Sequence, residues 1–163
     1  MLVRWLVFVH VLGAFGFFFF HGVSAIMALR LRRETDLARI RALLDLSSAS
    51  IPLMGVSFLI MGLTGVTLPF LVHIWDRVYI WLSIALILAV FIYMSVFNEG
   101  HYKRLRRMVG LPYMRGSRTY PAEPPCTPQE VEAHIRSTNV VPLAIAGFAV
   151  PVIVLWLMLF KPF

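Results

Sequence analysis

The stretch WLVFVHVLGAFGFFFFHGVSAIMAL, residues 5–29, decides the fold, because its 25 consecutive residues carry no charged side chain. An α-helix needs about 20 apolar residues to cross the ~30 Å hydrocarbon core of a bilayer, where its backbone groups must bond to one another. Arg4 at the mouth of the run and Val23-Ser24-Ala25 near its end have the outline of a secretory signal. The run is too long for one: a signal core spans about 7–15 residues. It also stops at the cluster Arg30, Arg32, Arg33, which acts as a stop-transfer sequence. The first helix is therefore expected to stay in the membrane.

Outward from this helix, residues 51–72, 78–98 and 140–160 contain no Asp, Glu, Lys or Arg. Over all 163 residues the composition is 60% hydrophobic, and the mean hydropathy is +0.81, well beyond soluble domains. The expectation is an all-α integral membrane protein, a single domain over 1–163. It is read as an antiparallel four-helix bundle with spans at about 2–29, 51–72, 78–98 and 140–160 and amphipathic extensions in loops 30–49 and 99–138.

The net charge of +7 is unevenly placed. Five basic residues lie in the first long loop (30, 32, 33, 39, 41) and seven in the third (103, 104, 106, 107, 115, 118, 136), against Arg4, Arg77 and Lys161 on the other side. This asymmetry predicts a multi-pass protein of the cell membrane with both long loops cytoplasmic and both termini outside. The charge then serves topology and anionic headgroups, and no nucleic-acid partner is expected. The single cysteine, Cys126, leaves no internal disulfide and no CxxC pair.

Punctuation within the loops is uneven. Leu37, Ile40, Leu43 and Leu44 alternate with Arg39, Arg41 and Asp45 at helical period, so the second helix is expected to start as a surface piece capped by Thr35 or Asp36. Five prolines between Gly110 and Pro128 read as an extended linker. Thr127-Pro128-Gln129-Glu130 is a capping box with proline at the first helical position, starting a short helix to about Ser137. Gly55, Gly62 and Gly65 predict close packing along one side of the second span. Basic amphipathic pieces, the proline-rich stretch and the capped helix together suggest a docking surface for a protein partner or a homo-oligomer.

The first span also carries His10 and His21. They are eleven residues apart, almost on one face and about 16 Å apart along the axis. With Ala14, Phe17, Ser24 and Ala28 they form a stripe expected to face the bundle, leaving Phe18 and Phe19 to lipid. An imidazole in hydrocarbon is costly unless satisfied by a hydrogen bond or a metal. Axial histidines in helical bundles hold b-type haem, and a His/Met mixture also suits copper(I), since thioether is a soft donor. By depth, His10 pairs with Met158 and His21 with Met54, while His73 and His101 at the two rims would have to reach inward. No acidic or basic residue lies deep in a span, which removes the usual equipment of pumps and ion-coupled transporters. The sequence offers neither a glycine-rich phosphate loop nor HExxH nor GxSxG.

The pattern FVHVLGAFGFFFFHG, an arginine-rich turn and then LMGVSFLIMGLTGV resembles small bacterial four-helix integral membrane proteins of unknown function. More distantly it is similar to the copper-resistance D domain and to the haem-linked protoporphyrinogen oxidase family. The resemblance implies a bundle in the bacterial inner membrane with a haem or copper role at the early histidine, His10. The function expected is a haem b- or copper-binding protein for electron transfer or haem handling, with a cofactor-free accessory or assembly subunit of a larger membrane complex as the alternative.

Overall fold

The computed structural model describes residues 1–115 and 118–162. The fold is all-α apart from one small hairpin. Helix α1 covers Leu2–Leu31, α2 Leu37–Val72, α3 Val78–Phe97 and α6 Val141–Phe160. Between α3 and α6 lie a π-helical turn (Asn98–Tyr102), α4 (Lys103–Met108), strands β1 (Tyr113–Arg115) and β2 (Arg118–Tyr120), and α5 (Pro128–Ser137). Four helices, the third counted through to Met108, are long and apolar enough to cross a membrane, and the chain has the build of a multi-pass membrane protein. Large apolar side chains such as Phe15, Leu63, Ile92 and Leu159 stand exposed on them, the face a bilayer covers.

The helices associate as two antiparallel pairs, α1 along α2 and α3 along α6, joined more sparsely where α1 meets α6. Close approach within the first pair comes from glycines of α1. A Cβ on Gly13 would stand 2.9 Å from the Met61 amide, and one on Gly16 would stand 2.6 Å from Ser57 Oγ. Gly65 is filled by the His10 ring, whereas Gly55 and Gly62 face open space, so only part of the glycine row expected to pack does so. Nearer the loops the pair is joined by hydroxyls: Ser47 Oγ donates to Ser24 Oγ at 3.1 Å, and Ser24 Oγ lies 3.2 Å from Ser50 Oγ. Such contacts replace the hydrophobic drive that helices lack in lipid.

The larger of the two buried apolar clusters gathers where loop 99–138 meets the ends of α1 and α2. Met27 and Leu31 from the end of α1, Ile40 and Leu44 from the start of α2, Leu105 and Val109 around α4, and Val131 and Ile135 from α5 form one core. Loop 99–138 therefore folds as a head on the extended ends of α1 and α2. Asp36 caps α2, accepting from the Ala38 N–H at 2.8 Å. Thr127 and Glu130 form the expected reciprocal box on α5. The stretch read as an extended linker contains the antiparallel β1–β2 pair, with Tyr113 stacked on Tyr120, before it runs irregularly to Thr127. Aromatic and β-branched cross-strand pairs hold a ribbon that proline counting cannot foresee.

Arg106 bolts the head to α2. Its guanidinium donates to the Leu44 carbonyl (3.1 Å), the Asp45 carboxylate (3.0 Å) and the Pro112 carbonyl (3.0 Å). Arg41 adds a bond to the Val109 carbonyl at 2.7 Å. At the opposite end Trp75 packs against Phe70 and Trp81, and the Trp81 indole donates to the Trp75 carbonyl.

Candidate functional site

The six residues of the α1 stripe all avoid full exposure, and both histidines face neighbouring helices. Their situations differ. His10 is committed to α2: its Nδ1 lies 2.9 Å from the Met61 carbonyl and 3.1 Å from Thr64 Oγ1. A carbonyl only accepts, so Nδ1 carries the hydrogen, and the neutral ring keeps its lone pair on Nε2. Thr64 Oγ1 donates to the Ile60 carbonyl at 2.6 Å and is thereby free to accept from His10. This is the hydrogen-bonded outcome weighed for a histidine in lipid.

His21 lies deeper and is 8% exposed. Phe17, one turn earlier on α1, stacks on its ring with centroids 5.7 Å apart, and Phe148 of α6 meets it edge-on at 5.8 Å. Its Nε2 is buried with no hydrogen-bond partner. What faces that nitrogen is Gly147 of α6. A Cβ there would stand 2.7 Å from Nε2 and 2.5 Å from the methyl carbon of Met94 on α3. Three helices thus meet over one glycine, and they bring an imidazole nitrogen and a thioether side chain to the same point. An orphaned nitrogen inside apolar surroundings costs roughly 1–3 kcal/mol, so the site is expected to serve a partner. A Cβ on Gly147 would clash with both groups, so Nε2 and the Met94 methyl pack directly against the α6 backbone at this glycine.

The other candidates fall elsewhere. Met158 packs with the Tyr79–Ile80–Leu157 cluster at the far end of α6, away from the methionine pairing expected for His10. Met54 is half-buried on α2, and Met94 is the methionine that meets His21. His73 caps the end of α2 in the left-handed region (φ 54°) and is exposed. His101 is 6% exposed within the head, where its Nδ1 is 3.0 Å from Thr138 Oγ1 and its ring stacks on His134 at 4.7 Å. Neither rim histidine reaches into the bundle. The sequence reading left His134 out, since it sits on a polar amphipathic helix and its partner His101 is 33 residues away. Among the described residues no group of three or more His, Cys, Asp or Glu side chains is placed to hold a metal. A site built on imidazole and thioether must therefore rely on soft donors.

Compared with known proteins, the chain matches no family model, no curated protein and no solved structure.

Proposed function

We propose that this chain is a membrane-embedded copper(I)-handling protein whose ion is held by His21 Nε2 and the Met94 thioether over Gly147. The observation that carries the reading is the buried, unpartnered Nε2 facing a glycine that Met94 also approaches. Both donors are soft or borderline and neutral, which suits Cu(I) and disfavours Mg²⁺, Ca²⁺ or Mn²⁺. Two neutral ligands leave the bound ion with its full charge in a low-dielectric interior, where an uncompensated charge is costly. The site then holds copper for transfer rather than for permanent storage. Haem b is the alternative cofactor, since a neutral imidazole is also its usual axial ligand.

The basic asymmetry supports placing the head and loop 30–49 in the cytoplasm and both termini outside. Alkylation of Cys126 by a membrane-impermeant maleimide in intact cells tests this: labelling from outside would reverse the assignment.

The functional test is anaerobic titration of the purified full chain with Cu(I) against a chromophoric chelator. One copper per chain is expected, lost in His21→Ala and weakened at least tenfold in Met94→Leu, with X-ray absorption showing one nitrogen and one sulfur neighbour. Copper retained in His21→Ala would overturn the site, and a Soret band in protein from haem-replete cells would reinstate haem. Protein that binds neither leaves the second reading, an accessory subunit docking through its folded head, which rests on the buried core of that head.

A further inference from the structure

The head contains a second site. We propose that the cleft between α4 and α5 binds a phosphate group, carried either by a soluble phosphate ester or by a phosphomonoester lipid headgroup. Arg104 and Arg107, three residues apart, share one face of α4, and Glu130, His134 and Ser137 share one face of α5. Between these faces is an open cleft of about 490 Å³ with Met108 and Cys126 in its lining.

Its walls are preformed. Leu105 and Val109 pack on Val131 and Ile135, none more than 3% exposed, which joins the two faces from behind. The Cys126 N–H donates to the Met108 carbonyl at 2.8 Å and fixes the lining segment. His134 is oriented by its Nε2, which donates to the His101 carbonyl at 3.3 Å, and by stacking on His101.

The charges favour an anion. Glu130 is the one acid in the lining; its Oε2 accepts from the Thr127 N–H at 2.9 Å and the Thr127 hydroxyl at 2.8 Å, and its single negative charge stands against two guanidiniums. Arg104 is exposed and makes no ion pair among the described residues. Two guanidinium forks converging on one cleft match a tetrahedral dianion, which offers an oxygen pair to each; a carboxylate has a single pair. Arg104 follows Phe97, the last residue of α3, by only seven positions, so both a headgroup and a soluble ester can reach the cleft.

Cys126, the single cysteine, is a built-in reporter. The full chain in phosphatidylcholine nanodiscs is alkylated with N-ethylmaleimide in the presence of inorganic phosphate or glycerol 3-phosphate, with chloride and acetate at matched ionic strength as references. A parallel series uses nanodiscs that contain phosphatidic acid. Slowing of Cys126 modification by several fold is expected, abolished in Arg104→Gln and retained in Arg136→Gln, whose side chain pairs with Glu132 outside the cleft. Slowing by the soluble esters assigns the site to a free phosphate, and slowing only with phosphatidic acid assigns it to a headgroup. Equal slowing by acetate, slowing that survives Arg104→Gln, or no slowing by any of these ligands would overturn the proposal.

Discussion

Gly147 of α6 faces the buried Nε2 of His21 on α1, and a Cβ on that glycine would lie 2.7 Å from the nitrogen. The absence of a side chain therefore sets both how near α6 comes to α1 and what can reach the imidazole. Gly147→Ala is expected to lower stability by about 1 kcal/mol. The usual helical gain of alanine over glycine, near 1 kcal/mol, is outweighed by the ~1–3 kcal/mol of inserting a methyl into a packed seam. Gly62, with nothing within 4 Å, supplies the control: Gly62→Ala is neutral or stabilising. Thermal unfolding of the detergent-solubilised variants checks the pair, and a Gly147→Ala midpoint at or above the wild type contradicts the packing described.

His10 holds helices together, whereas the proposed copper site is at His21, so their replacements should separate. His10→Ala removes the bonds to Met61 and Thr64 and costs about 1 kcal/mol, in the range of interhelical hydrogen bonds in membranes. Hydrogen exchange in the N-terminal half of α1 should rise while Cu(I) binding stays within a factor of two. Loss of copper in this variant with unchanged exchange would move the metal site to His10.

Arg106→Lys tests the bolt between head and α2. Lysine keeps the charge but cannot reach two carbonyls and a carboxylate with one planar fork. A cost of about 2–3 kcal/mol is expected from hydrogen bonds of a largely enclosed charged group, and ~1.4 kcal/mol corresponds to a tenfold change in local opening. Trypsin should then cleave between α4 and α5 at least tenfold faster. Arg77→Lys, at an exposed pair with Asp76, should leave the rate unchanged.

The cap of α5 titrates. The Thr127 hydroxyl, and after it the Thr127 N–H, hold the Glu130 carboxyl below its ordinary value. A depressed carboxyl pKa stabilises the folded helix above the unfolded value, about 4.3, and that stabilisation is lost as pH falls through the folded value. Amide resonances of the first turn of α5 should thus keep their helical shifts at neutral pH and lose them in the acid range below about pH 4. Glu130→Gln keeps the geometry without the titration and should give a flatter profile; identical profiles would rule out the carboxylate as the cause.

Four membrane-length helices, the Asp36 cap and the Thr127–Glu130 box were all legible in the sequence, because span length, hydropathy and capping depend on residues within a few positions of one another. The bundle-facing stripe of α1 was legible for the same reason, since 3.6-residue periodicity is local. Depth along the span placed His10 level with Met158, and His21 level with Met54 and not far from Met94; in the structure His10 meets Met61, Thr64 and Gly65, and His21 meets Gly147 beside Met94. Levels along the membrane normal do not reveal which helices are neighbours, and pairing α1 with α2 and α3 with α6 is a property of side-chain fit over the whole surface.

The head shows the same division. Alternating charged and apolar residues made Leu37–Asp45 an amphipathic helix in advance. The joining of that helix to Leu105, Val109, Val131 and Ile135, the bonds of Arg106 to Leu44 and Asp45 and the stacking of His101 on His134 unite segments 33 to 95 residues apart. The sequence by itself determined that the chain forms helices suited to a bilayer and where they start and stop, since those are local consequences of hydrophobicity and hydrogen-bond supply. Only the tertiary structure decided which polar atoms end up with partners and which, like His21 Nε2, are buried without one, because that depends on how helices distant in the chain approach one another.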